Sequence, residues 1–268
     1  MIRTALALFA ATLIASCAAP PLIPDSVYRS LVPTGKLRAS VNLGNPVLAY
    51  RDTKGEPAGV SVDLSREMAT RLGVPLQLVV YESAGKVVEG LKRGEVDVAY
   101  VAIDPARATD IEFSPPYVVI EGAYLVKESS PIRKNAEVDA KGIRVAVGLG
   151  SAYDLYLSRN LREAQIVRAK SSPEVVDFFL AEKLDVAAGV KQQLEADAKR
   201  VPGLRILDGR FMVINQAIGV PFGREAAKRF VFSFVEEMKW SGFVHQALVR
   251  HHIEGAVVAP RAPAASQP

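Results

Sequence analysis

The sequence is poor in the residues from which most catalytic and metal sites are built. Its 268 residues include one cysteine, three histidines and one tryptophan. The lone Cys17 excludes an internal disulfide and any cysteine-based metal motif. The histidines lie close together near the C-terminus, in a pattern typical of a solvated helix face rather than of a metal site; they are His245, His251 and His252. We therefore expect no metal ion.

Neither sign of charge dominates the chain. It has 33 Lys and Arg residues against 29 Asp and Glu residues, a formal net charge of +4, and the charges are spread evenly. Since no basic patch stands out, no nucleic acid partner is expected. Hydrophobic residues make up 49% of the chain and charged residues 23%, which is typical of a globular protein. At about 150 residues per domain, the length predicts two domains.

Cofactor motifs are also missing. Residues 148–153, GLGSAY, begin like a dinucleotide-binding fingerprint, but Tyr153 stands where the third glycine is needed. The next predicted strand ends near Arg168 and Lys170, where such a site needs an acid. The sequence has no nucleophile elbow and no lysine-bearing phosphate loop. We therefore expect no cofactor.

The N-terminus has the pattern of a secretory signal. Arg3 precedes an apolar run over residues 5–15 that is too short to span a bilayer. The run leads into IASC at 14–17, which resembles the lipobox of bacterial lipoproteins, in which the cysteine sulfur carries diacylglycerol. The alternative is an ordinary signal in which Cys17 is incidental. We predict a leader over 1–17 with lipidation at Cys17, and thus a periplasmic protein that touches the membrane through a lipid anchor.

The segments next to both ends lack a periodic apolar pattern. Residues 18–35 are rich in proline and are predicted to be a tether. Residues 255–268 are rich in alanine and proline and are predicted to be a disordered tail. After the leader, no run of 18 apolar residues follows that could span a membrane. The folded body is therefore expected between these two segments.

The body contains an internal repeat. Residues 37–45, LRASVNLGN, match residues 143–151, IRVAVGLGS, and VVE…VDVA over 87–99 matches VVD…LDVA over 175–187. Two matches in the same order indicate two copies of one unit. Periodicity predicts the same βαβαβ string in each copy. The predicted elements are strand 37–43, helix 61–73, strand 75–81, helix 85–93 and strand 96–102, then strand 143–148, helix 151–162, strand 165–169, helix 173–183 and strand 185–190.

The repeat predicts an α/β protein of two small, mostly parallel sheets with flanking helices. The turn 52–55 accounts for extra length in the first copy. A late strand over 216–221 and a helical tail over 223–252 imply that the chain crosses twice between two lobes. Such a double connection is typical of a hinge around a ligand cleft.

Ligands of open α/β sheets bind at the carboxyl ends of the strands. Asn45 and Ser151 follow matching strands and are predicted to face the ligand, unless they are simply good turn residues. Arg107 follows the third strand at the same rim and can hold a carboxylate through two parallel hydrogen bonds. Two alternatives stay open for it: Arg107 pairs with Asp104, or it lies on the surface.

Three stretches carry a family resemblance: AIDPAR at 102–107, IEFSPPY at 111–117 and GEPAGVSVDL at 55–64. They resemble the extracytoplasmic solute-binding proteins of family 3, which serve ABC importers of polar amino acids. The resemblance covers nearly all of 36–254. It implies the two-lobed type II periplasmic-binding-protein fold, with lobe 1 over 36–122 plus 219–254 and lobe 2 over 123–218. It also implies a small-molecule solute, an ABC permease in the cytoplasmic membrane as partner, and no catalysis; we expect a monomer.

The resemblance implies only part of an amino acid site. The arginine that grips the α-carboxylate falls on Arg107, and the hydroxyl residue of the second lobe falls on Ser151 or Ala152. The aspartate that binds the α-ammonium falls on Val190, followed by Lys191, so an ammonium group lacks its partner. Ala102 and Asp104 lie in the motif of Arg107. The family's aromatic clamps fall near Gly44 or Asn45 and Ala84; Tyr100, Tyr81 or Tyr153 are the candidate substitutes.

Two other functions share this fold. Cyclohexadienyl dehydratases resemble solute-binding proteins that became enzymes, but their catalytic glutamate falls near Gln193, which cannot donate and recover a proton. Glu195 lies two positions further along the chain and is expected on another face. A periplasmic sensory lipoprotein that signals to a receptor is the remaining alternative. We predict a binding component of an importer that captures a small polar or carboxylate-bearing, amino acid-like solute by hinge closure.

Overall fold

The structure is a computed structural model that describes residues 23–263. The predicted leader, its lipidation site Cys17 and residues 264–268 lie outside this range. Within the described range, no helix has the length and apolar character needed to cross a bilayer.

Short helices and strands alternate along most of the described chain. Up to the first long strand they are α1 (Asp25–Leu31), β1 (Leu37–Asn42), β2 (Tyr50–Arg51), β3 (Pro57–Ala58), α2 (Val60–Leu72), β4 (Leu76–Tyr81), α3 (Ala84–Lys92), β5 (Ala99–Ala102), β6 (Ile111–Phe113) and β7 (Val118–Lys127). The remainder are β8 (Arg144–Gly148), α4 (Ala152–Asn160), β9 (Gln165–Ala169), α5 (Val175–Ala181), β10 (Val186–Val190), α6 (Lys191–Arg200), β11 (Leu204–Ile206), β12 (Met212–Pro221), α7 (Glu225–Trp240), α8 (Phe243–Arg250) and β13 (Val257–Val258).

The predicted repeat is confirmed by the order of these elements. The first copy is β1-α2-β4-α3-β5 and the second is β8-α4-β9-α5-β10. The strands of each copy run parallel where they pair. The first copy also contains the short β2–β3 hairpin, closed by the predicted turn over 52–55, in which the Asp52 carboxylate accepts the backbone N–H of Lys54 and Glu56.

Both copies contain the same contact between an arginine and an aspartate. In lobe 1 the Asp97 carboxylate accepts the backbone N–H of Arg38 at 3.0 Å and pairs with its guanidinium at 2.6 Å. In lobe 2 the Asp185 carboxylate accepts the backbone N–H of Arg144 at 2.8 Å, and the charged groups lie 3.7 Å apart. Asp97 is fully buried, whereas the side chain of Asp185 is 37% exposed. The repeat thus extends to side-chain contacts, with very different burial in the two lobes.

Two long strands connect the lobes. β7 and β12 pair antiparallel over 118–122 and 212–216; β12 then continues along β5 and β6, whereas β7 continues along β10 and β11. The predicted lobe limits at 122/123 and 218/219 fall within these strands. The expectation of two separate sheets is wrong, because the shared pairing joins both lobes in one nine-stranded sheet, with β1 and β4 attached through a single bridge.

The core follows the crossing strands. The largest apolar cluster includes Ile120 and Tyr124 of β7 and Ile214 and Ile218 of β12, so it extends into both lobes. The predicted helical tail over 223–252 is two helices, α7 and α8, because the chain turns at Gly242 with φ 79°. Because the core extends into both lobes, the carboxyl ends of the parallel strands of both lobes face each other across the same region.

The predicted tether and tail are partly wrong. Residues 25–31 of the tether form α1, which packs on α7 and buries Val27 and Leu31. Residues 257–258 of the tail form β13, which pairs with β7, and Lys239 donates to the carbonyl of Pro260 at 2.9 Å. Neither segment has a repeating apolar pattern of its own. Each is ordered by a surface that distant parts of the chain provide, so the sequence of the segment alone does not predict its structure.

Replacing Leu31 with alanine tests the docking of α1. Leu31 is fully buried, so we expect the free energy of unfolding to fall by about 2–5 kcal/mol, measured by urea denaturation. Arg29→Ala on the exposed face of the same helix is the control and is expected to change stability by about 0.5 kcal/mol or less. Equal, small effects of both variants would mean that this segment is a tether after all.

Candidate binding site between the lobes

A cavity lies between the lobes, where the parallel strands of both units end. Six of the predicted site residues line it: Asn45, Ala102, Arg107, Ser151, Ala152 and Val190. Its volume is about 30 Å³, room for roughly two water molecules. The arrangement agrees with the rule that ligands of open α/β sheets meet the carboxyl ends of the strands.

Arg107 provides the positive charge of this cavity. Its Nη1 donates to the carbonyl of Ala102 and its Nη2 to the carbonyl of Gly150 across the cleft, both at 2.9 Å. The residue is only 4% exposed. Burial lowers the pKa of Arg107 to about 10, a shift that the charge of Asp104 partly opposes, and the guanidinium stays charged at neutral pH. A buried cation held by two carbonyls is suited to an anion.

The alternatives left open for Arg107 are resolved by the position of Asp104. The Asp104 carboxylate accepts two hydrogen bonds from the guanidinium of Arg159 in α4, at 3.1 and 2.6 Å. It also accepts the backbone N–H of Ala106. Asp104 is therefore committed to a bridge between the lobes, and Arg107 neither pairs with it directly nor lies on the surface.

Two of the predicted site residues do not line the cavity. Asp104 bonds to Arg159 as described, and Tyr100 is buried in the core of lobe 1, edge-on to Tyr117 with ring centroids 6.1 Å apart. Both lie near the segment that carries Arg107. Tyr100 lies two positions before Ala102 in β5, further from the strand end at which the cavity lies, and Asp104 lies after the strand, in the segment that bonds to Arg159.

The second lobe presents the beginning of α4. The hydroxyl of Ser151 caps the helix by accepting the backbone N–H of Asp154 at 3.0 Å. Gly150 before it has φ 69°, and a Cβ there would lie 3.1 Å from the Cα of Gly85 in lobe 1. The two lobes therefore approach each other at this point through glycines, and a side chain at Gly150 would hold them apart.

The end of β10 contributes an apolar side chain. Val190 lines the cavity, and α6 begins directly after it. The next side chain, Lys191, lies 3.7 Å from the carboxylate of Glu121, and Glu121 also accepts a hydrogen bond from Arg210. This corner of the cavity therefore carries no charge.

These features can be compared with known proteins. A model of one known family matches residues 37–252 of this chain. The chain belongs to the bacterial extracellular solute-binding proteins, family 3. Its two lobes, each built on one βαβαβ unit and joined by β7 and β12, have the type II fold of periplasmic amino acid-binding proteins.

Individual relatives are similar at low identity. The L-cystine-binding protein TcyJ of Escherichia coli (strain K12) is 24% identical over 235 residues, 87% of this chain and 88% of TcyJ. The structure of the solute receptor for L-cysteine of Neisseria gonorrhoeae matches with a TM-score of 0.75 and 22% identity, over 85% of this chain and 94% of the receptor.

A membrane-bound lytic murein transglycosylase F, from Idiomarina loihiensis, is 32% identical over 155 residues, 57% of this chain. The chain spans about a third of that transglycosylase, since the match covers 33% of it. A cyclohexadienyl dehydratase of Pseudomonas aeruginosa is 24% identical over 86% of this chain. The resemblance predicted from the sequence is thus confirmed at the level of family and fold.

The structure places Gln193 and Glu195, the two residues considered for a dehydratase role, outside the cavity. Gln193 donates through Nε2 to the carbonyl of Ser172, a neighbour of the cavity, at 3.3 Å. Glu195 lies in a different surface depression, together with Val47 and His252. Neither residue lines the cavity that contains Arg107.

Sequence reasoning missed part of the lining of this solute-binding protein. Asn42, Ser172, Ile214 and Gln216 line the cavity as well. Gln216 gave a signal, because it is a polar residue within an apolar strand. The others gave none, since their position follows from how the lobes meet. Gly44, Ala84 and Tyr153, which were considered for the aromatic clamps, also lie in the lining.

Proposed function

We propose that this solute-binding protein captures a small carboxylate-bearing solute between its lobes and presents it to an ABC permease in the cytoplasmic membrane. The observation that carries the proposal is Arg107, a buried guanidinium in the cleft that touches two carbonyls and no carboxylate among residues 23–263. Isolated charges are costly to bury, and a bound carboxylate offsets that cost through charge-assisted hydrogen bonds.

The cleft must open and close for this function. A cavity of about 30 Å³ is too small for a solute of several heavy atoms. Within residues 23–263, the side-chain hydrogen bonds that join the lobes at the cleft are those of Arg107 to Gly150 and of Arg159 to Asp104. The side chain of Arg159 is 40% exposed, so water reaches the guanidinium end of this bridge, although the Asp104 carboxylate is buried. A solute that bonds to both lobes can therefore govern closure, with β7 and β12 as the hinge.

The proposed location and the proposed permease partner rest on the family and on the predicted leader. Members of the family are extracellular solute-binding proteins, which favours a periplasmic location and a permease partner. Lipidation at Cys17 would hold the protein at the membrane, and we propose that it works as a monomer. A dehydratase role is not favoured, because neither Gln193 nor Glu195 shares the cavity with Arg107.

The test is a thermal-shift panel on the purified protein, with amino acids, amino-free carboxylates and sugars. A solute present at about a thousand times its Kd stabilises the protein by about 4 kcal/mol, several degrees in Tm. We expect the hits to be carboxylates and to reduce the radius of gyration in X-ray scattering. Hits confined to sugars would contradict the proposal, and capture of a receptor instead of a permease by the loaded protein would favour sensing.

A further inference from the structure

We infer that the cavity selects carboxylates that carry no ammonium group and whose second polar group is a neutral donor, a hydroxyl or an amide. The inference rests on the proposed function and narrows it to a substrate class. Its basis is the charge of the lining. Among residues 23–263, Arg107 is the one charged side chain that lines the cavity; the polar remainder consists of amides and hydroxyls, among them Asn42, Ser172 and Gln216.

Two buried carboxylates, those of Asp104 and Asp154, lie close to lining residues of the cavity, and both are already bound by arginines. Asp104 is held by Arg159 through two hydrogen bonds. Asp154, behind Ser151, accepts from Arg168 at 3.0 and 3.2 Å and from the backbone N–H of Gly150. An ammonium group in the cavity would find none of these negative charges free.

An ammonium ion is therefore unfavourable in this cavity for two reasons. It would lose its hydration shell without gaining a counter-ion, and it would lie in the same small space as the guanidinium of Arg107. A hydroxyl in the same position of the solute avoids both costs, because it is neutral. The lining is thus expected to bind a hydroxy acid more tightly than the amino acid of the same shape.

Asn45 supplies a partner for the neutral donor. It lines the cavity, is 7% exposed, and its side-chain Oδ1 is buried with no hydrogen-bond partner in the part of the chain that the structure describes. Its backbone N–H is used, since it donates to the carbonyl of Asn42 at 3.1 Å. A buried acceptor without a donor costs free energy, so a solute that donates a hydrogen bond to Oδ1 removes this cost and binds more tightly. The cavity therefore offers a cation for a carboxylate and an acceptor for a hydroxyl or amide.

The experiment compares matched pairs by isothermal titration calorimetry at neutral pH. The pairs are L-alanine with L-lactate, L-serine with glycerate, and L-glutamate with 2-hydroxyglutarate; propionate serves as the acid without a second polar group. We expect at least one hydroxy acid to bind about a hundredfold tighter than its amino acid. An amino acid that binds as tightly as its hydroxy partner would overturn this inference and leave the proposed function standing. Absence of binding by every carboxylate would overturn both.

Variants at Asn45 test the second contact. Asn45→Asp keeps the shape and adds a negative charge, so the affinity ratio of amino acid to hydroxy acid is expected to rise about tenfold or more. Asn45→Ala removes the acceptor, and lactate should then bind no better than propionate. Glu195→Gln, in the separate depression, is the control and should leave both ratios unchanged. Unchanged ratios in both Asn45 variants, with Tm values near that of the parent protein, would refute the role of Asn45.

Discussion

Arg107→Met is expected to lower the affinity for the carboxylate solute by about a hundredfold or more. Removing one partner of a buried charge pair costs about 2–5 kcal/mol in binding, and about 1.4 kcal/mol corresponds to a factor of ten. The methionine keeps much of the volume but loses the donors that hold Ala102 and Gly150. Isothermal titration of the best carboxylate from the panel measures the effect.

Two further arginine variants make the result specific. Arg107→Lys keeps the positive charge without the planar fork and is expected to have an intermediate affinity. Arg200→Met removes a half-exposed guanidinium at the end of α6, outside the cavity, and its affinity should stay within about twofold of the parent value. If Arg107→Met bound the solute as well as the parent protein, the anion would bind elsewhere and the proposed function would lose its main support.

Asp97→Ala is expected to destabilise the protein by about 3 kcal/mol or more, whereas Asp185→Ala should cost about 1 kcal/mol or less. Both aspartates accept the backbone N–H of an arginine in the first strand of their lobe. Asp97 is fully buried and pairs closely with Arg38; the side chains of Asp185 and Arg144 are 37% and 42% exposed. Without Asp97, the backbone N–H of Arg38 would lose its acceptor, and the guanidinium of Arg38 would keep only the carbonyl of Gly94.

Urea denaturation of the two variants side by side measures this difference. The hydrogen bond to Asp97 raises the pKa of Arg38 above its ordinary value. The stabilisation from this raised pKa is present at neutral pH and is lost as the pH rises through the raised pKa, so measurements at neutral pH report the full effect. If both variants lost the same free energy of unfolding, burial would not determine how much this repeated contact contributes to stability.

The repeat explains why so much of the fold was predictable. The βαβαβ strings follow from apolar periodicity within short stretches, and the two copies supported each other. Limits of the predicted helices and strands differ from the observed ones by a few residues; the helix predicted over 61–73, for example, is Val60–Leu72. The helix α1 and the strand β13 were missed, because what orders them is the surface of α7 and the edge of β7.

The candidate site was predictable in part. Arg107, Asn45 and Ser151 follow strand ends, and strand ends of parallel sheets meet at one edge. The sequence by itself determined the family, the two-lobed fold and the sheet edge at which the cavity lies, because these depend on local patterns. Only the tertiary structure decided that Asp104 bonds to Arg159 and leaves Arg107 free for an anion, since that choice depends on a helix of the other lobe. The same meeting of the lobes brings Ser172 into the cavity, and no local pattern encodes its place there.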